Sequence, residues 1–171
     1  YWTRLPRQSI RSIEFLTPGQ GLAWGSGSTG GVILMEDLSP FEAEGRVDLE
    51  IGDPASFSAY VQQNHVDNNL AVLIEAYGSS YDGFKRVHPS DRGPIDTEAE
   101  LENIGARLAV ELKRSNGRWL FEGSGYSEER GNGLPEAENS TDAWDLSAQR
   151  RFEFADWAAT ALAYGQYREF E

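Results

Sequence analysis

The chain has 171 residues and no cysteine. That removes disulfides, thiol nucleophiles and thiolate-held metals together, while assigning no compartment. It has two histidines, so proton transfer near neutral pH has only His65 and His88 to draw on. No apolar run approaches the roughly 18 residues of a membrane helix. Stretches such as VILM at 32–35 are core-sized. Positive charge is also scarce: 15 Lys and Arg stand against 28 Asp and Glu, a net charge of −13. Such a field repels phosphate backbones and anionic lipid, so neither nucleic acid nor a membrane is the expected partner. Lys85 and Lys113 are the only lysines, an excess of arginine read as genome bias. The chain opens on Tyr1 without an initiating Met or a signal-like start. A processed terminus is expected, and localisation stays open.

What is present is alternation. In RVDLEI, 46–51, Val47, Leu49 and Ile51 fall on one side and Arg46, Asp48 and Glu50 on the other, the pattern of a strand with one wet face. The apolar three are expected inward. SFSAYVQ at 56–62 repeats the pattern after the turn residues GDP at 52–54. LAVLIEAY at 70–77 reads as a central strand with Glu75 near its wetter end. The clearest unit is 106–123, where Leu108, Val110 and Leu112 alternate, Asn116-Gly117 supplies a type I′ turn, and Trp119 and Phe121 return as core. IRSIEFL at 10–16, GVILME at 31–36 and RRFEF at 150–154 are further strands. Residues 156–170 fit an Ala-rich helix capped by Asp156 or a strand, and their aromatics favour the strand. Residues 90–103, with a helical turn around Thr97 to Asn103, and 127–149 read as loops. The expected architecture is one all-β domain over 1–171, an antiparallel two-sheet sandwich of jelly-roll-like kind, with a closed lipocalin-like barrel as the alternative.

Motifs are few. WGSGSTGG at 24–31 satisfies G-x-G-x-x-G, but a phosphate cradle needs a helix behind it. VILMED follows instead, with Pro40 close behind. Its GSTGG also places Thr29 where chymotrypsin-like serine proteases carry their nucleophile. Both histidines lie downstream, an order that excludes the reading. The stretch is expected to be a loop leading into a strand.

His65 with Asp67, and His88 with Asp91, would form an acid/base or metal site if their loops converged. Oxygen-rich runs, Asp67 with Asn68 and Asn69 or Asp142 with Asp145, leave Ca²⁺ open, and no cofactor is expected. Among the aromatics, Trp24, Tyr60, Tyr77 and Trp144 fall off the apolar phase or in polar loops, and are expected as exposed stacking platforms. The leading expectation is a glycan-binding module using these four. Alternatives are a polysaccharide-cleaving sandwich using His65 or His88, a barrel enzyme that cyclises or isomerises a small hydrophobic molecule, and a structural interaction domain.

Overall fold

The computed structural model describes residues 2–18, 30–53 and 55–171. They form nine strands in two antiparallel sheets and no α-helix, with short 3-10 turns at Trp2–Arg4, Arg7–Ser9 and Pro89–Asp91. The chain divides into two compact units, Tyr1–Ser39 and Pro40–Glu171.

In the first unit β1 (Ile10–Leu16) pairs with β2 (Val32–Asp37), setting Ile13 opposite Met35 and Phe15 opposite Ile33. The turn into β2 depends on Gly31: its φ is 109°, and a Cβ there would lie 2.7 Å from the Leu16 carbonyl oxygen. No side chain fits that position. The glycine stretch thus leads into a strand, as expected. Trp24 and most of that stretch lie outside the described residues.

The second unit is a seven-stranded meander of β3 (Arg46–Gly52), β4 (Ser56–Asp67), β5 (Leu70–Tyr81), β6 (Leu101–Arg114), β7 (Gly117–Gly131), β8 (Glu138–Glu153) and β9 (Ala158–Phe170). Strand order is chain order, and the sheet is not closed into a barrel, so β3 and β9 are its edges. One end carries tight turns at Asn68-Asn69, Ser115-Asn116 and 154–157. The other carries the connections 53–55, 82–100 and 132–137.

The 106–123 hairpin forms as expected, with its turn one residue earlier: Ser115 and Asn116 make the bend, and Gly117 takes φ 122°. A Cβ on Gly117 would overlap the Arg151 carbonyl oxygen of the neighbouring strand. Residues 156–170 form β9 almost throughout, again as expected. The expected loop at 127–149 is instead the end of β7 and most of β8. Its polar composition conceals a strict alternation, Thr141, Ala143, Asp145 and Ser147 on one face against Trp144, Leu146 and Ala148 on the other. No helical turn forms at 97–103, where β6 already begins.

Ser140 and Glu171 exchange both backbone hydrogen bonds, at 2.9 and 3.2 Å. Because bonded and non-bonded pairs alternate along an antiparallel ladder, the even residues of β9 from Thr160 to Arg168 turn their N–H and C=O away from β8. Five consecutive pairs of backbone groups therefore line an open edge.

Cross-strand partners share a face, and the unbroken register keeps the faces separate across all seven strands. One row runs Val47, Val61, Ala76, Ala106, Gly125, Trp144, Tyr167. A row on the other face runs Gln62, Glu75, Arg107, Ser124, Asp145, Gln166. The apolar face is the exposed one: Val47, Leu49 and Ile51, expected inward, point outward, and Ile51 is 87% exposed. Trp119 and Phe121, expected as core, stack on each other on that same exposed face. The polar face is the sheltered one, and holds Leu73, Ala71, Ala109 and Ala143 buried between long polar side chains. Alternation identifies two faces without specifying which medium covers each. Here the assignment is reversed.

Candidate functional site

The polar face is organised around Glu75, which is 0% exposed although it sits in an otherwise apolar strand. An isolated carboxylate there would be costly, and three strands supply its partners. Tyr60 on β4 donates its hydroxyl to Glu75 Oε1 at 2.5 Å, and that hydroxyl also lies 2.6 Å from Gln62 Oε1. Arg107 on β6 donates from Nη1 to Glu75 Oε2 at 2.5 Å and from Nη2 to Glu122 on β7. One guanidinium therefore joins two carboxylates, the fork geometry that lysine cannot supply. Further along the face, Tyr126 donates to Glu128 at 2.5 Å and Arg130 pairs with the other oxygen at 2.9 Å. Arg118 pairs with buried Glu111 at 3.1 Å.

The segment before β3 lies on this face. Pro40 and Ala43 are buried, the Glu44 carbonyl accepts from Gln62 Nε2 at 2.7 Å, and Phe41 receives the Lys113 ammonium 3.6 Å from its ring centroid. Polar contacts thus run from the segment through Gln62 to the Tyr60 hydroxyl, whose single proton faces both Gln62 and Glu75, and on to Arg107 and Glu122. The acids and bases named here are held by one another.

Of the expected stacking platforms, the register brings Tyr60 and Tyr77 together as cross-strand partners on the polar face and leaves Trp144 on the other. Tyr60, expected exposed, is 3% exposed because its ring and hydroxyl are committed to the Glu75 network. Tyr77 lies on the same polar face, its ring laid over Gly105 so closely that a Cβ there would overlap it. Trp144 is exposed on the opposite face, resting on Gly125, where a Cβ would approach the ring to 2.7 Å. Aromatic rings covering strand glycines restore the packing that the missing side chain forfeits.

The histidines do not converge. His65 stands near the end of β4 rather than in a loop, beside the Asn68-Asn69 turn, whereas His88 precedes Pro89–Asp91 in the connection at the far end of β5. The whole of β5 separates them. His88 Nδ1 lies 2.8 Å from Ser90 Oγ, and Asp67 accepts from Asn68 Nδ2 at 3.0 Å. Asp142 and Asp145 fall on opposite faces of β8, so they cannot share a cation. Among the described residues no three His, Asp or Glu side chains are grouped to hold a metal.

Among the described residues, two depressions stand out on the sheet. One, of 460 Å³, lies at the loop end among Tyr81, Glu102, Arg130 and Asn139. The other, of 530 Å³, is an open trough on the apolar face between Phe121 and Leu146, floored by Gly123, Ala148, Ala163 and Gly165. Sequence reasoning missed Arg107, Glu122 and Arg150, which the register makes neighbours of residues far away in the chain. The signal was Glu75 itself, a carboxylate inside an apolar strand. No helix among the described residues is long and apolar enough to cross a membrane. No known protein family, curated protein or solved structure matches the chain.

Proposed function

We propose that Pro40–Glu171 is the wall of a transmembrane β-sheet, its apolar face meeting hydrocarbon and its polar face turned toward a water- or protein-filled interior. The observation that carries the reading is the inverted partition: a long antiparallel meander whose exposed face is apolar and whose sheltered face is charged. That is the pattern of membrane barrels, whose strands alternate apolar outside with polar inside. Dimensions agree. On β8 the apolar row runs from Phe152 to Trp144, about 27 Å along the strand and about 21 Å after a tilt of roughly 40°, against a band of about 25 Å in such walls.

Aromatic side chains mark both rims, Trp119, Phe152, Phe154 and Trp157 toward the tight turns and Trp144 with Tyr167 toward the long connections. Such belts sit at headgroup level. The two longest connections, 82–100 and 132–137, both lie at the end opposite the tight turns, beside the short 53–55, an asymmetry of the kind these proteins show. On β4 Gln63 and His65 interrupt the apolar row near the tight-turn end. The reading also requires that further strands meet the edges of β3 and β9, since an open edge cannot face hydrocarbon. It departs from the expectation of no membrane partner, which rests on the net charge of −13 and on the missing 18-residue run. The run criterion concerns helices alone, and the averaged charge leaves out the uncharged band of the apolar face.

The test is quenching by lipids brominated at known depths, in vesicles containing the full chain with Trp144 as its only tryptophan. Strong quenching by bromines near the headgroups, weaker at the bilayer centre, is expected. Emission like that of the protein in buffer, unaffected by bromine, would overturn the reading. One observation favours carbohydrate binding as a second reading: Trp144 and Tyr167 are exposed cross-strand neighbours, a ready platform for a sugar ring. A Trp144 emission shift on titration with oligosaccharides in lipid-free buffer supports it, and silence across a broad glycan panel removes it.

A further inference from the structure

Arg150 is the one charged residue in the middle of the β8 apolar row, between Ala148 and Phe152, with Trp119 and Ala161 as its cross-strand partners. It is 6% exposed, and its guanidinium carbon lies 5.4 Å from the Trp119 ring centroid and 4.7 Å from that of Phe152. Nη2 donates to Asn116 Oδ1 at 2.6 Å and Nη1 to the Arg151 carbonyl at 3.0 Å. These acceptors orient the cation without neutralising it: among the described residues Arg150 forms no ion pair. Its Nε has no hydrogen-bond partner there either, and is not among the polar atoms sealed from solvent. A cation fixed by two rings, lacking a counter-ion and keeping a free donor, is built to receive an anion.

The surroundings define which anion. Ala161, the cross-strand partner of Arg150, is followed on the same face of β9 by Ala163 and Gly165, which floor the 530 Å³ trough walled by Phe121 and Leu146. From Ala161 to Gly165 β9 extends about 13 Å, close to the roughly 15 Å depth of one bilayer leaflet. Resting on the membrane reading above, we infer that Arg150 and this trough form a binding site for an anionic bilayer phospholipid. The phosphate is received at Arg150, at the level of the Trp119 and Phe152 belt, and one acyl chain lies along Ala161, Ala163 and Gly165.

The probe is spin-labelled phosphatidylglycerol against spin-labelled phosphatidylcholine, each at trace level in phosphatidylcholine vesicles holding the full chain. One interfacial cation gives a preference of about fivefold for the anionic lipid. Arg150→Gln is expected to bring that ratio to about one while leaving Trp144 quenching by brominated chains intact. Gly165→Leu, at a position with open space around its Cα, fills the trough and is expected to weaken association of both lipids. A ratio of one in the unsubstituted chain, which needs no variant to fold, overturns the inference. So does an unchanged ratio in Arg150→Gln. Absence of bromine quenching in the chain that keeps Trp144 as its only tryptophan instead overturns the membrane reading itself.

Discussion

Replacing Ile74 by Arg distinguishes a sheet that meets hydrocarbon from one that meets water. Ile74 is the midpoint of the β5 apolar row from Leu70 to Gly78 and is 56% exposed. In water, less than half of its surface is covered, so the lost packing is at most about 1 kcal/mol of the roughly 1.5–3 that full burial provides. The Arg stem recovers part even of that. In a bilayer the same substitution places a cation near the midplane and costs about 2–4 kcal/mol. Ile51, at the rim of β3 beside the 53–55 connection, is the control. Arg there costs about 0–1 kcal/mol at the membrane interface. The assay is reversible denaturant unfolding from phosphatidylcholine vesicles, followed by tryptophan emission. Ile74→Arg is expected to exceed Ile51→Arg by about 2 kcal/mol or more. Equal costs, or a cost for Ile74→Arg within about 0.5 kcal/mol of zero as at an ordinary exposed site, would refute the reasoning.

Three further outcomes follow from the polar face and the glycines. Arg107→Met takes the guanidinium away from buried Glu75 and is expected to cost about 3–5 kcal/mol in the same unfolding assay. Adding Glu75→Gln should recover a large part, and costs that simply add would show the two residues to be uncoupled. Gly105→Ala drives a methyl into the Tyr77 ring and is expected to cost about 1–3 kcal/mol, reduced when Tyr77 is also truncated to Ala. Gly117→Ala must hold a side chain at φ 122° against the Arg151 carbonyl, for a loss of more than about 1 kcal/mol. Gly165→Ala, with nothing within 4 Å, stays within about 0.5 kcal/mol of the unsubstituted chain. Similar midpoints for these last two variants would contradict the backbone argument.

The all-β class, the 106–123 hairpin and the strand at 156–170 are legible because period-two alternation and Asn-Gly chemistry are local. Residues 138–153 are not, because Ser, Thr, Asp and Gln alternating with Trp, Leu and Ala imitate loop composition. The greater loss is directional. Val47, Leu49 and Ile51 announce a shared face, yet nothing in RVDLEI says whether core, solvent or lipid lies against it. Tyr60 is buried and Tyr77 half-buried for a related reason: both stand off the apolar phase, a position that implies exposure only where the apolar face is the core. In this sheet the off-phase face is the buried one. Glu75, Arg107 and Glu122 are separated in sequence and meet only through the β5-β6-β7 register.

The strand order of Pro40–Glu171 also governs how the sheet comes to exist. Each strand pairs only with its neighbours in sequence, so no distant segment must be found before the next ladder closes, and the entropy of each closure is that of a single connection. The sheet can therefore grow by accretion, each new hairpin templated on the strand before it. Every increment adds about 5 Å of apolar width and carries the unpaired edge forward to the newest strand. Growth of this kind has no intrinsic stopping point, so the final width depends on what eventually covers the five open backbone positions of β9.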